Sequence, residues 1–392
     1  MSSSANSAPP GHADVDAGDY LVLAPGFVVE SLDDRQVTIC LQGVGTRLRL
    51  PKALHAALMR FMRPSLLAAV AEPLGSAAWR ALDQLRARGF LVPPGTPPVA
   101  RLLTDPPVRL FDGPAAKLVA SEADIVVVGF PWDFGDPAAA GARRGPLALR
   151  ETSLQLLYSV DPITGRAAGW FDADERRPIL QGVAIADAGD VLVRHGEPAR
   201  HVFERGREAW RILTSGGATG IVLGGDSSAA FVPISACAGP GEVDVIRVCT
   251  GGGKTAQGDA LPTANTLASH ALALSGVRHY YDLVPAGRPE QRPWPGAGRY
   301  RQVTPQGGDA SWLDEADVPV HLGIDMAALA SATSTGFDYR TVRAIVTSVA
   351  RNRRVISIDV CGLNPAHPCW GALAMTALHL LVAAVSAARG SS

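Results

Sequence analysis

The chain has 392 residues, 47% hydrophobic and 19% charged, which is enough apolar sequence for a sizeable core. With 36 basic and 37 acidic residues its formal net charge is -1, and this excludes nucleic-acid binding driven by bulk charge. None of the five cysteines forms a CxxC pair, so neither a zinc ribbon nor a disulfide framework is indicated.

Residues 1–18 are polar and lack the basic and apolar regions of a secretory signal. They read as disordered, and the chain as cytoplasmic. Residues 19–94 read as a small winged-helix α+β unit. The alternating runs FVVESL and QVTICL flank Asp33-Asp34 as a hairpin, and TRLRL makes a third strand. Pro51 opens a helix with Leu54, Leu58 and Phe61 on one face. Ser65 is placed to cap a second short helix. Ser76 is placed to cap a third, which carries Trp79, Leu82 and Leu85 and ends at Gly89. FLV is a last strand, and a proline-rich linker spans residues 95–119.

From residue 120 the pattern changes. IVVVGF, GIVLGG, VDVIRV, VPVHLGID and RVISIDV are continuous apolar runs, the signature of strands buried on both faces. Helical stretches at 146–157, 198–215, 264–274, 339–352 and 372–388 separate or follow them. The alternation predicts a three-layer, doubly wound parallel α/β domain over residues 120–392, with function at the carboxyl ends of the strands. The last stretch contains His379 and falls short of the roughly 20 apolar residues that cross a bilayer, so it reads as a buried helix.

The run VCTGGGKT (Val248 to Thr255) follows a strand and ends in GGGKT. A phosphate loop needs a glycine where Val248 stands, and a helix start where AQGDALP follows. The run is therefore not read as a nucleotide site.

Five segments, in order, resemble the arginase/agmatinase (ureohydrolase) family. They are Val126 to Ser153, with Gly129, Pro131, Gly141, Ala142, Gly145, Pro146 and Arg150 matching; IADAGDV (Ile185 to Val191); VLGGDSSAA (Val222 to Ala230); His321 to Val342; and ISIDVCGLNP (Ile356 to Pro365). The resemblance implies two manganese ions that generate a hydroxide to attack a guanidinium carbon. At the six ligand positions this chain has Ser227, then Cys249, Gly251 and Gly253, then Asp325 and Ala327. Only Asp325 keeps the family's residue type. Leu267 stands near the proton-transferring histidine and Gly362 at the guanidinium-gripping glutamate. No metal and no cofactor are expected. Asp187, Asp226 and Asp359 remain at strand ends, where carboxylates bond loop amides.

Residues 25–92 resemble a PqqD-like peptide-recognition element. That resemblance implies a leader peptide adding a strand beside residues 46–50 and leaning on the third helix. The contact candidates are Arg47, Leu48, Arg49, Trp79, Leu82, Asp83, Arg86 and Arg88. The chain is thus expected to be a pseudo-ureohydrolase, a partner or scaffold in maturing a ribosomally synthesised, post-translationally modified peptide. Its expected partners are the precursor peptide and an active modifying enzyme or intact paralogue, in a homo- or hetero-oligomer, without a membrane. One alternative is a metal-independent enzyme using Cys249, Asp325 and Ser227. Another is a winged-helix regulator on DNA, although nucleic acid is not the expected partner. Two further groupings are open: His270, His279 and His321 as a different metal site, and Arg143-Arg144 as an anion site.

Overall fold

In QVTICL every second residue is apolar, and in the computed structural model Val37, Ile39 and Leu41 all point into one core. The structure describes residues 20–25, 27–41, 47–95, 102–116, 121, 123–136, 139–156, 159–160, 167–194, 196–239, 241–251, 261–287, 297–306, 311–313, 317–329 and 336–390. The chain divides into two units, 1–101 and 102–392.

The first unit contains strands β1 (Tyr20–Leu23), β2 (Phe27–Leu32), β3 (Gln36–Leu41) and β4 (Arg47–Pro51). Helix α1 (Lys52–Leu58), strand β5 (Ser65–Leu66), helices α2 (Leu67–Ala71) and α3 (Ser76–Ala87), and strand β6 (Leu91–Val92) follow. β2, β3 and β4 form an antiparallel sheet in that order, and β1 sits between β5 and β6 in a second sheet. The strand β1 was not foreseen. The two expected serine caps are corrected. Ser65 lies in β5 and gives its hydroxyl to the carbonyls of Arg60 and Arg63. Gly75, not Ser76, occupies the cap position of α3.

The second unit begins with β7 (Leu103–Thr104) and β8 (Ile125–Phe130), then α4 (Gly145–Ser153). A small antiparallel sheet follows: β9 (Ser159–Val160), β10 (Ala167–Asp172) and β11 (Arg177–Ile179). The chain continues through β12 (Ile185–Val191), α5 (Ala199–Thr214), β13 (Thr219–Gly224), α6 (Phe231–Cys237) and β14 (Val243–Val248). It ends with α7 (Leu267–Ala273), β15 (Val277–Leu283), β16 (Tyr300–Val303), β17 (Val320–Asp325), α8 (Tyr339–Asn352), β18 (Val355–Cys361) and α9 (Trp370–Arg389).

Nine strands form one sheet in the order β16-β15-β14-β17-β18-β13-β8-β12-β7, parallel except for the antiparallel edge strand β7. Residues of α4, α8 and α9 pack on one face, and residues of α5, α6 and α7 on the other. This is the expected three-layer α/β architecture. Residues 102–112, read from the sequence as linker, instead supply β7 and bury Leu110 and Phe111 in the core. The helix α9 is longer than its sequence reading, and among the described residues it alone has the length and apolar composition to cross a membrane. Here its apolar side chains pack against α8 and α4.

Buried charge locks α4 to the sheet. Arg150 is fully buried, and its Nε and Nη2 donate to the two oxygens of Asp187 at 2.8 and 2.9 Å. Asp187 also accepts the amides of Leu110 and Gly189. A buried pair survives only when its remaining polar atoms are satisfied in this way.

Candidate functional site

The carboxyl ends of β13, β14, β15, β17 and β18 surround a cavity of about 120 Å³, lined by Asp226, Ser227, Arg247, Cys249, Asp282 and Asp325 among others. Gly225 allows the turn out of β13. A Cβ there would lie 1.9 Å from the backbone oxygen of Trp132, so the two loops meet only because the side chain is absent.

Asp226 follows directly. Its Oδ2 accepts the Gly135 amide at 2.7 Å, and its Oδ1 accepts the amide and hydroxyl of Ser228. Burial pushes its pKa up. As expected from the sequence, this carboxylate ties loop amides together.

Ser227, at the position the resemblance aligns with the first ligand, donates its hydroxyl to Oδ2 of Asp325. Oδ1 of Asp325 accepts the Ala327 amide at 2.9 Å. Gly362 has a φ of +74°, and a Cβ there would fall 2.1 Å from Asp325 Oδ1. A glutamate at 362 could not coexist with this placement of Asp325.

Cys249 follows β14 and directs its thiol at Oδ1 of Asp282, 3.1 Å away, while the Tyr300 hydroxyl donates to Oδ2 at 2.8 Å. Burial pushes the Cys249 thiol well above its usual range, and the charge of Asp282 adds to this. Burial also raises Asp282. Burial and the neighbouring carboxylate weigh against the alternative in which Cys249 acts as a nucleophile.

Asp359 departs from its expected role. It lies within β18, fully buried, and bonds side chains, not loop amides: its Oδ2 is 2.8 Å from His321 Nε2, and its Oδ1 is 3.4 Å from Arg247 Nη2. Burial opposes its charge, but Arg247 and the His321 hydrogen bond prevail and hold its pKa below the usual value. The other nitrogen of His321 meets Ser357 Oγ at 2.8 Å. Serine, histidine and aspartate thus form a chain, but all three are fully buried, so no substrate reaches that serine.

The grouping of His270, His279 and His321 as a metal site is not borne out. β14 separates the strands of His279 and His321, and His270 lies on α7, against Phe231. Arg143 is partnered by Asp133 at 3.5 Å and by the ring of Phe134. Gly253 and the rest of the GGGKT run after Gly251 lie outside the described residues.

A dinuclear manganese centre needs several carboxylate and imidazole ligands with free lone pairs. The residues present do not fit. Among the described residues no group of three or more histidine, cysteine, aspartate or glutamate side chains is placed to hold a metal ion. Asp226, Asp282, Asp325 and Asp359 already accept bonds on both oxygens.

Residues 123–248 match the Arginase family. The chain carries an arginase-family domain. A formimidoylglutamase of Halobacterium salinarum is 30% identical over 190 residues, covering 45% of this chain and 56% of that protein. An agmatinase of Citrobacter koseri is 32% identical over 106 residues, 27% of this chain and 31% of that protein. The chain thus spans about half the length of the first relative and a third of the second. Among solved structures, proclavaminate amidino hydrolase from Streptomyces clavuligerus superposes with a TM-score of 0.56 at 19% identity, over 73% of this chain and 98% of that one. Trypanosoma cruzi formiminoglutamase, solved with Mn2+, gives 0.55 at 20% identity, over 72% and 98%. The second unit therefore has an arginase-like α/β fold with a large, mostly parallel sheet.

In the first unit the peptide-contact candidates divide. Leu82 is fully buried and Leu48 packs on the same core, so Leu82 is corrected to a core residue. Arg49, Asp83, Arg86 and Arg88 are exposed, as is Trp79 at 39%. Arg47 begins β4.

Sequence reasoning missed Arg247, Asp282, Tyr300 and the role of His321. The signal for Arg247 was present: an arginine in a mostly apolar strand that also holds Asp244 must find a partner or be expelled. Asp282 and Tyr300 lie in β15 and β16, which were not read as strands.

Proposed function

We propose that this chain is an arginase-fold protein without manganese hydrolase chemistry, which holds a precursor peptide on its N-terminal unit and serves as partner to a modifying enzyme. The names of its relatives favour the other reading, hydrolysis at an amidine or guanidine carbon. One observation weighs against that reading for this chain: the acidic side chains at the strand ends are spent on internal bonds, and Ser227 and Ala327 stand at ligand positions.

Support for peptide capture comes from the edge position of β4 in its sheet. The amide of Lys52 donates to Arg35, so by alternation the amides of Leu48 and Leu50 face β3 and those of Arg47 and Arg49 face outward. A row of outward amides is the element that strand addition uses. Arg49 on this strand is exposed, which suits an acidic peptide.

The test is selection of extended peptides from a display library on the full-length chain, with urea and formamide release from agmatine, arginine and formimidoylglutamate measured in parallel with Mn2+. Enriched peptides without release support the proposal. Release at an enzyme's rate overturns it.

A further inference from the structure

The register of the large sheet places one charged row under the cavity. Asp282 on β15 pairs with Arg247 on β14, Arg247 pairs with Gly323 on β17, and Gly323 pairs with Asp359 on β18. Register partners in a parallel sheet project from the same face. Arg247 therefore projects from the same face as both carboxylates, its Nη2 lies 3.4 Å from Asp359 Oδ1, and it is only 2% exposed.

Gly323 is what lets it lie there. A Cβ at that position would be 2.5 Å from Arg247 Nε and 2.5 Å from Asp359 Oδ2. The missing side chain opens the lane through which the guanidinium reaches Asp359. Among the described residues Nε has no hydrogen-bond partner, so charge rather than full hydrogen-bond satisfaction holds the side chain in place.

Four buried carboxylates crowd this end of the sheet: Asp226, Asp282, Asp325 and Asp359. Buried acids need a compensating cation or must stay protonated. A guanidinium keeps its charge at every accessible pH, and unlike a metal ion it cannot dissociate.

We propose that Arg247 is the resident cation of this centre: its guanidinium, reaching over Gly323 to Asp359 in the row that also holds Asp282, supplies the positive charge the carboxylates require, so that the centre assembles without divalent metal. The inference rests on the metal-free reading above but not on peptide binding.

Thermal unfolding of the full-length protein in EDTA, for the wild type, Arg247→Lys, Arg247→Met, Asp359→Asn and the Arg247→Met/Asp359→Asn double variant, tests it. Arg247→Met keeps the length and removes the charge, and it should lower the midpoint by about 6–15 °C. Arg247→Lys should lose less than half as much. In the double variant the neutral amide no longer needs a cation, and at least half of the loss should return. A Met variant as stable as the wild type overturns the inference, and so does a double variant in which the two losses simply add. If Arg247→Met does not fold, the double variant still decides: a folded one supports the charge role, and an unfolded one beside a folded Asp359→Asn overturns it. Metal content of the wild type is measured separately, so failure of the metal-free reading stays distinct from failure of this one.

Discussion

Ser227 donates its hydroxyl to Asp325, and in doing so it joins two positions that the sequence resemblance aligns with ligands. The Ala327 amide takes the second oxygen. We expect Ser227→Ala to strand one carboxylate oxygen in a buried site and to destabilise the protein by about 1–3 kcal/mol. Chemical denaturation of the two proteins measures this. An unchanged midpoint would show that Asp325 does not depend on Ser227.

Thiol reactivity should follow burial. Cys249 and Cys361 are buried, and burial raises both thiols well above their usual range, whereas Cys369 is exposed. Iodoacetamide at pH 8, followed by peptide mass mapping, should alkylate Cys369 first and leave Cys249 protected until the protein unfolds. Rapid alkylation of Cys249 in the native protein would restore it as a nucleophile.

The acid limb of stability should carry the mark of one pair. Both oxygens of Glu197 accept from the Arg205 guanidinium, at 2.6 and 2.9 Å. The Arg205 bonds pull Glu197 from its ordinary 4.5 down to about 2. A depressed carboxylate stabilises the fold above its unfolded pKa, and that contribution is lost as pH falls through the folded value. Relative to Glu197→Gln, the wild type should be more stable by about 1–3 kcal/mol at pH 6. The gap should close between about pH 5 and pH 2. Parallel curves across that range would contradict the assignment.

Peptide capture on β4 should depend on main-chain amides. Arg49→Pro removes an outward amide while leaving the inward ones of Leu48 and Leu50 to pair with β3. We expect it to weaken an enriched peptide at least tenfold, while Arg49→Ala changes binding by only a few fold. Equal effects of the two substitutions would place recognition in side chains instead of the strand edge.

The strands of the large sheet were legible where both faces are buried, because a run such as IVVVGF carries an unbroken apolar signal. VRHYYDL was not, since arginine, histidine and aspartate interrupt it. Its polar residues find partners only across the sheet, such as Arg278 on Asp244 and Asp282 on Tyr300. The motifs allow the residues at the resemblance's ligand positions to be named. They do not reveal the row from Asp282 through Arg247 to Asp359, because Arg247 and Asp359 lie 112 positions apart and meet through strand order alone. Leu82 and Trp79 show the same limit on a smaller scale. Both fit the helical spacing of α3, yet one is core and the other is exposed.

The most direct measurement is the metal content of the purified full-length protein by elemental analysis, after loading with Mn2+ and desalting. We predict well under about 0.2 manganese per chain, because the carboxylates at the strand ends are already bonded and, among the described residues, no three histidine, cysteine or acidic side chains are placed to hold a metal ion. About two manganese per chain, the complement of a two-metal hydrolase, would contradict the metal-free centre and return this chain to hydrolysis.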